Sequence, residues 1–347
     1  MKMKIDNLNI SSKNPFFVAE ISGNHAGNKN ILKKTIISAI NSGVNAIKLQ
    51  SYTPEDLTIN TKNKDFLIKG SKNKWDKKYL YDIYKKGQTP IEWYKVALEI
   101  CKKKKILCFS SPFSVNTVDK LQKLKCPVYK IASLEITNLP LLKKVAETKK
   151  PVIISTGGAT LKEIKKAVKI FVKNKNIALL KCTVNYPANL KDSNLLTIKD
   201  LKKKFPKCEI GFSDHTKGEI AAMTAVSLGA SIIEKHFTLS KKINSVDNFF
   251  SADEKDFKRI IQNCKKIVIC KGKNFYGPTL SEKKSLKYRR SIYVSKKIKK
   301  GENITKNNVK IVRPSYGLSI NYYEKIIGKK SKKNLNVGDK ILLKNIL

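Results

Sequence analysis

Two of the three histidines, His215 and His236, lie just beyond short apolar segments that are typical of buried β-strands. The segments 209–212 and 231–233 are joined by a helical pattern, so we expect neighbouring parallel strands that end on the same side of one sheet. Imidazole is the commonest side-chain ligand for a divalent metal, and two imidazoles leave coordination positions open for water and substrate. The pair therefore favours a metal site. The alternative is that each histidine only caps its strand by hydrogen bonding.

Two lysines, Lys48 and Lys130, lie inside apolar segments, where a charged side chain is costly to bury without an anionic partner. Serines stand near the ends of neighbouring segments, and Gly157-Gly158 precedes a helical pattern, a combination typical of a site for phosphate and carboxylate groups. The serines are Ser111, Ser133, Ser155 and Ser213. The pattern predicts a metal-dependent enzyme acting on an anionic substrate, with phosphate as the favoured group. A Schiff-base aldolase is the alternative, because Lys130 or Lys181 could serve as the reactive amine.

Eight short apolar segments follow one another along the chain, and each is succeeded by a helical pattern. They are residues 16–21, 46–50, 106–110, 128–132, 151–155, 178–181, 209–212 and 231–233. A strand–helix unit repeated eight times within roughly 250 residues predicts an α/β fold, the (β/α)8 or TIM barrel, with the chemistry at the C-terminal ends of the strands. An open doubly wound sheet is the alternative, but it would ask for a GxGxxG motif after the first strand, and the sequence has none there.

One connection, residues 51–90, is much longer than the others and lies between the second and third predicted strands. It holds Trp75, Tyr79, Tyr81 and Tyr84. At the mouth of a barrel such an aromatic-rich insertion either shapes a substrate pocket or packs as a structural excursion. The sequence favours neither interpretation over the other.

The character of the sequence changes after residue 270. Residues 271–288 are polar with two glycines and a proline, which is typical of a linker. Residues 291–347 show short β-like segments at 292–294, 309–312 and 340–343, separated by glycine turns. We therefore predict a barrel domain at 1–270, a linker at 271–288 and a compact C-terminal domain at 289–347.

The composition, 41% hydrophobic and 29% charged residues, is that of a globular protein. A net charge of +45 raises the hypothesis of nucleic-acid binding. Only four of the 72 basic residues are arginines, however, and the 68 lysines are spread along the whole chain. The arginines are Arg259, Arg289, Arg290 and Arg313. This distribution favours a solvated, lysine-rich surface over a dedicated nucleic-acid partner.

No membrane or secretory signal is recognisable. No apolar run approaches the roughly 20 residues that span a bilayer, and the first 17 residues do not form a signal peptide. The seven cysteines are scattered and form no CxxC pair. We therefore expect a cytoplasmic protein with reduced thiols and no membrane partner.

Six ordered motifs link these residues to a known family. They are AEISGNHAG at 19–27, AIKLQ at 46–50, YKIAS at 129–133, STG at 155–157, SDH at 213–215 and EKHF at 234–237. Together they resemble the sialic acid synthase family, whose members condense phosphoenolpyruvate with an N-acetylated sugar to make a nonulosonic acid. The motifs RRS at 289–291, KGE at 300–302 and VRP at 312–314 resemble that family's antifreeze-like (SAF) domain. The resemblance covers nearly the whole chain.

The insertion resembles most that of the pseudaminic acid synthases, in SYTP at 51–54, FLIKG at 66–70, WDK at 75–77 and TPIEW at 89–93. Val184 follows Cys182-Thr183, where N-acetylneuraminate synthases tend to have asparagine, which counts against N-acetylmannosamine as the substrate. The resemblance thus implies 2,4-diacetamido-2,4,6-trideoxy-L-altrose as the sugar. N-acetylneuraminate or legionaminate synthesis is the alternative within the family. The Schiff-base aldolase and a lysine-rich nucleic-acid-binding protein are the alternatives from other classes.

The family reaction joins C3 of phosphoenolpyruvate to the C1 aldehyde of an open-chain sugar. Water adds at C2, and phosphate leaves by C–O cleavage. The resemblance implies that His215 and His236 hold a divalent metal (Mn²⁺, Mg²⁺ or Co²⁺) and that Glu20 handles a proton or orients C1. Phosphoenolpyruvate is expected on Lys48, Lys130, Ser111, Ser133, Ser155 and Ser213. The sugar is expected on Gln50, Glu135, Tyr186, Asp247 and Arg313.

The family likeness also implies a domain-swapped homodimer. In it, the SAF domain of one subunit lies over the barrel mouth of the other, and Arg313 reaches the sugar there. The alternative for Arg313 is an ordinary surface arginine.

Overall fold

Eight parallel strands close into a barrel within the first of two compact units, Met1–Gly272. They are β1 (Phe16–Glu20), β2 (Ala46–Ser51), β3 (Leu107–Pro112), β4 (Tyr129–Ile131), β5 (Val152–Ser155), β6 (Ile177–Cys182), β7 (Glu209–Asp214) and β8 (Ile232–His236). Each strand pairs with the next, and β8 closes the ring against β1. This computed structural model describes residues 3–5, 8–70, 74–174 and 176–347. The predicted TIM barrel is confirmed, and all eight predicted strands are present with ends that differ by at most three residues.

Helices follow the strands and enclose the barrel. They are α1 (Lys29–Asn41), α2 (Pro54–Leu57), α3 (Leu80–Gly87), α4 (Ile91–Lys103), α5 (Val115–Lys123), α6 (Leu139–Glu147), α7 (Leu161–Ile170), α8 (Thr197–Lys204), α9 (Ile220–Ser227) and α10 (Glu254–Lys271). Single 3-10 turns occur at Ser22–His25, Lys64–Phe66, Ser133–Thr137 and Leu190–Asp192. In α7, Thr160 and Glu163 form a capping box that begins the helix, and Ile164 and Ala167 are buried against the core. The lysines of α7 are therefore left at the surface.

The barrel is tightly packed where β7 passes between β6 and β8. A Cβ on Gly211 would lie 2.5 Å from the Ile232 carbonyl oxygen and 2.5 Å from Leu180 Cδ2. No larger residue fits there without moving backbone. Glycine at this position thus allows β7 to place Ser213, Asp214 and the following His215 at the C-terminal end of the barrel.

The insertion between β2 and β3 contains α2 and α3 and folds over the C-terminal end of the barrel strands. Trp75 Nε1 donates to the Val246 carbonyl at 3.1 Å, and Trp75 and Tyr84 line a cavity there. Tyr79 and Tyr81 instead hydrogen-bond within the insertion, to the Lys62 carbonyl and to Glu55. Trp75 and Tyr84 thus fit the first interpretation of this segment, and Tyr79 and Tyr81 fit the second.

The second compact unit, Lys273–Leu347, has a core of its own. Its antiparallel pair is β9 (Ser291–Val294) and β10 (Val309–Val312), with short helices α11 (Leu280–Lys283) and α12 (Tyr323–Ile326) and 3-10 turns at Lys284–Tyr288, Ile320–Tyr322 and Leu343–Asn345. Two of the three predicted β segments are strands, whereas 340–343 makes only an isolated bridge between Lys340 and Tyr293. Residues 273–288, assigned to the linker, contain α11 and the turn that follows it.

A two-stranded hairpin, Lys4–Ile5 with Leu8–Asn9, precedes the barrel. Within the described part of the chain no helix combines the length and the apolar character that a bilayer crossing requires. All seven cysteines are free, as the scattered spacing predicts.

Candidate active site

Four buried charged side chains meet inside the barrel. Lys48 on β2 pairs with Glu20 on β1, and its Nζ lies 3.1 Å from Glu234 Oε1 on β8. Lys130 on β4 lies 3.6 Å from the same oxygen. None of the four side chains is more than 5% exposed. Each lysine thus has the anionic partner that its burial requires, and in both cases Glu234, which the site prediction omitted, is a partner.

Two members of this cluster, Lys48 and Glu234, have shifted pKa values. Burial lowers the pKa of Lys48 to about 8, with Lys130 acting in the same direction and Glu234 opposing it. Burial would raise the pKa of Glu234, but the charges of Lys130 and Lys48 bring it down to about 2. Glu234 is therefore ionised near neutral pH and holds the two ammonium groups beside one another.

The predicted serines surround this cluster in different ways. Ser155 Oγ accepts a hydrogen bond from Lys130 at 2.6 Å, and Ser213 Oγ donates to Glu234 at 3.1 Å. Ser133 Oγ accepts the Gly157 N–H at 3.1 Å. The Ser111 hydroxyl is buried without a hydrogen-bond partner in the described structure. Ser111 lies on β3, between the strands that carry Lys48 and Lys130, and an unpaired buried hydroxyl there is suited to binding an oxyanion.

His215 and His236 meet at the same end of the barrel, with ring centroids 5.5 Å apart. His215 follows β7 as predicted, but His236 is the last residue of β8 and does not lie beyond the strand. The strand continues because both of its late charged residues are paired. Glu234 contacts the interior lysines, and Lys235 lies 2.8 Å from Asp214. A charged residue therefore did not mark the end of this strand.

The hydrogen bonds of the two imidazoles differ. His215 Nδ1 donates to the Thr183 carbonyl at 2.8 Å, so Nε2 is the nitrogen that would be available to a ligand when the ring is neutral. His236 Nδ1 is buried without a hydrogen-bond partner in the described structure. Burial, and then the charges of His215 and three lysines, lowers the pKa of His236 well below its ordinary value. A neutral buried imidazole with an unpaired nitrogen is suited to a metal ligand.

The described residues contain no group of three or more His, Cys, Asp or Glu side chains placed to hold a metal ion. The donors that fit are thus the two imidazoles alone. Such a pair fits a divalent cation that keeps its remaining positions for water or substrate. The third histidine, His25, is excluded from this role, because it accepts the Gly27 N–H at 3.0 Å and contacts Thr89 at 3.0 Å.

A cavity of about 320 Å³ opens beside His236 at the end of the barrel. Four of the five residues predicted to bind the sugar line it: Gln50, Glu135, Tyr186 and Asp247. Ser133 from the phosphoenolpyruvate set lines it as well, so the two predicted substrate sites adjoin. The fifth residue, Arg313, is exposed in the second compact unit, directly after β10.

Asp247 and Tyr186 are fixed by their neighbours at the cavity. The Asp247 carboxylate accepts the Ser22 hydroxyl at 2.5 Å, and its Oδ2 lies 3.9 Å from His236 Nδ1. The Tyr186 ring packs on His215 with centroids 4.3 Å apart. Ser22, Tyr52 and the aliphatic residues of the insertion also line the cavity, although they were not among the predicted site residues. They come together only when the insertion folds over the barrel.

The barrel, the buried lysine pair and the two imidazoles agree with the resemblance to the sialic acid synthase family. The NeuB family model matches residues 35–276, and the SAF domain model matches residues 289–347. The chain belongs to the NeuB family, as the motifs predicted.

Individual relatives fit the same assignment. The chain is 43% identical over 342 residues to pseudaminic acid synthase from Campylobacter jejuni, which covers 97% of this chain and 98% of that protein. It is 36% identical over 328 residues to N,N'-diacetyllegionaminic acid synthase from the same species, covering 93% and 97%. The crystal structure of N-acetylneuraminic acid synthetase from Leptospira borgpetersenii matches with a TM-score of 0.73 and 33% identity, covering 83% of this chain and 96% of that one.

Proposed function

We propose that this protein is a pseudaminic acid synthase, a transferase that condenses phosphoenolpyruvate with 2,4-diacetamido-2,4,6-trideoxy-L-altrose. The observation that carries the proposal is that the buried Lys48–Lys130 pair lies beside the two imidazoles, His215 and His236, inside the barrel. His236 also lines the cavity that holds four of the predicted sugar-binding residues. The order of identities supports the choice of sugar, since the pseudaminic acid synthase is more similar than the legionaminic acid synthase from the same organism.

Phosphoenolpyruvate would be held by the two lysines and the four serines. An ammonium group has three N–H donors. Lys48 uses two of them on Glu20 and Glu234, and Lys130 uses two on Ser155 and the Ile131 carbonyl, so each lysine would keep one donor for a phosphate or carboxylate oxygen. The unpaired Ser111 hydroxyl supplies a further donor. Held in this way, C3 of phosphoenolpyruvate would be positioned for attack on the aldehyde.

The aldehyde end of the sugar would lie at His215 and His236. A divalent cation such as Mn²⁺, Mg²⁺ or Co²⁺ held by these imidazoles would supply Lewis-acid polarisation of the aldehyde oxygen. Glu20, which pairs with Lys48 and accepts the Ser22 N–H at 2.8 Å, is our candidate for proton transfer or for orienting C1. Gln50, Glu135, Tyr186 and Asp247 would hydrogen-bond the rest of the sugar.

The test is phosphate release from phosphoenolpyruvate with Mn²⁺ or Mg²⁺, comparing the diacetamido trideoxy sugar with N-acetylmannosamine. Turnover with the first sugar only, abolished by chelator, is the expected result. Turnover with N-acetylmannosamine would keep the family and exclude our choice of sugar, and turnover only with the legionaminic acid precursor would do the same. A borohydride-trapped adduct that forms despite chelator would favour the Schiff-base aldolase.

Substitution of the two histidines tests whether they bind the metal. His215→Ala and His236→Ala are expected to remove the response to Mn²⁺, and near-normal metal-dependent turnover in either would contradict the assignment. The matched control is His25→Gln, because His25 is buried like the other two but has both ring nitrogens engaged by protein atoms. That variant should keep its response to Mn²⁺.

We further propose a domain-swapped homodimer in which Arg313 of one subunit contacts the sugar bound in the other. The match of residues 289–347 to the SAF domain and the exposure of Arg313 support this arrangement. Arg313→Ala should raise the KM for the sugar without changing that for phosphoenolpyruvate. A fully active monomer, or undiminished activity after truncation at residue 288, would overturn the proposal.

A further inference from the structure

The cavity beside His236 has two chemically different sides. The barrel strands and the loops that follow them supply a mixed surface, in which apolar residues such as Val184 and Val246 accompany the polar groups of Ser22, Gln50, Ser133, Glu135, His236 and Asp247. The insertion supplies aliphatic and aromatic groups instead: Tyr52, Leu57, Ile68, Trp75, Leu80, Ile83 and Tyr84. A sugar placed with its aldehyde at His236 would therefore extend toward the apolar side.

The insertion is rich in lysine, yet the side chains that it presents to the cavity are apolar and aromatic. Nine lysines occur within residues 51–90, yet none of those that the structure describes lines the cavity. Ile68, Leu80 and Ile83 are half-buried, and all three line the cavity. A half-exposed aliphatic surface enclosed in a cavity binds apolar groups of a ligand.

The chemistry of this wall discriminates between sugars. A hydroxyl group placed against Ile68, Leu80 and Ile83 would lose its hydrogen bonds to water and find no replacement on these three side chains, which is costly. A methyl group placed there would gain from leaving water. The wall thus suits a sugar in which some hydroxyls are replaced by a deoxy carbon or by acetamido groups, which end in methyls.

We infer that Ile68, Leu80 and Ile83 determine the specificity of the enzyme, by binding the methyl groups of the deoxy carbon and of the acetamido substituents. The inference rests on the proposed function, since it assigns parts of the proposed sugar to named side chains. These residues do not touch the reacting atoms, so they act on the choice of sugar and not on phosphoenolpyruvate.

The variants Ile68→Thr and Ile83→Thr keep a β-branched shape and place a hydroxyl in the wall. Each is expected to lower kcat/KM for the diacetamido trideoxy sugar about tenfold, while the KM for phosphoenolpyruvate stays unchanged. The matched control is Ile59→Thr, in the same insertion, because Ile59 is 67% exposed and does not line the cavity. It should behave like the unaltered protein.

A second measurement needs no variant. The unaltered protein is compared on the 6-deoxy sugar and on its 6-hydroxy counterpart, and the hydroxylated sugar should react at least about tenfold less efficiently. Equal efficiency on the two sugars, or threonine variants that fold and match Ile59→Thr, would overturn the inference and leave the proposed function intact. If the unaltered protein turns over neither sugar, the proposed function fails and the inference fails with it.

Discussion

Replacing each interior lysine by methionine should separate the structural roles of Lys48 and Lys130. Methionine keeps the length of the side chain and removes its charge. Lys48 pairs with two carboxylates, Glu20 and Glu234, whereas Lys130 pairs with Glu234 alone. The two substitutions thus remove different numbers of ion pairs from the same cluster.

The expected losses of stability follow from what each substitution leaves behind. Lys48→Met leaves Glu20 without a cationic contact among the described residues, and breaking such a buried pair costs about 3–5 kcal/mol. Lys130→Met leaves Glu234 still paired with Lys48 at 3.1 Å, and it removes chiefly the charged hydrogen bond to Ser155. That loss is about 2 kcal/mol. Lys48→Met should therefore be the more destabilising variant.

Tryptophan fluorescence during urea unfolding measures the difference in stability between the two variants within the barrel unit. Both tryptophans, Trp75 and Trp93, belong to the first compact unit, so their signal follows the barrel and not the second unit. The control is Lys62→Met, because the Lys62–Asp82 pair is 66% and 55% exposed. Its loss should lie within about 0.5 kcal/mol.

Equal losses in the two lysine variants, or a larger loss in Lys130→Met, would refute the reasoning from pair count. The same samples test the substrate role, since both variants should raise the KM for phosphoenolpyruvate while Lys62→Met should not. An unchanged KM in Lys130→Met would remove that residue from the phosphate site.

Three further predictions follow. Because the pKa of Lys48 is lowered to about 8, kcat/KM for phosphoenolpyruvate should fall as the pH rises through about 8. In Lys48→Arg this fall should occur at a higher pH, and the pH–rate profiles of the two proteins check it. Burial lowers the pKa of His25 to about 4, so folding loses stability as the pH falls from about 6.5 toward 4; urea unfolding at several pH values should show this loss diminished in His25→Gln. Gly211→Ala should cost about 3 kcal/mol or more, because its Cβ meets the Ile232 carbonyl at 2.5 Å, which thermal unfolding would show.

The barrel could be predicted from sequence because its strands are short apolar segments at regular spacing. The ends were harder to place, as β8 shows: the apolar pattern stops at Ile233, but the strand runs to His236. At this end of the barrel the inward residues are charged and paired with one another, so the apolar pattern ends before the strand ends. The same cause explains why Glu234 escaped the site prediction, although it lies in a quoted motif.

The polar residues of the site were easier to predict than the shape of the cavity. Gln50, Glu135, Tyr186 and Asp247 meet in one cavity. Each of them had been predicted, either from its position near a strand end or from the family resemblance. Leu57, Ile68, Leu80 and Ile83 line the same cavity, but in sequence they are ordinary apolar residues of an irregular segment. Only the path of the insertion over the barrel determines which of them face the ligand.

The large positive charge carries little information about the site, and the distribution of the lysines explains why. Inside the barrel, Lys48 and Lys130 are paired with carboxylates, so the four-residue cluster adds no net charge. The part of the cavity wall supplied by the insertion contains no described lysine. Among the residues whose burial the structure describes, only Lys48, Lys130 and Lys235 are buried lysines, and each has a carboxylate partner. The other described lysines are at least partly exposed, where water solvates the ammonium group at little cost. The positive charge of the chain is therefore a property of its surface and not of the interior of the barrel.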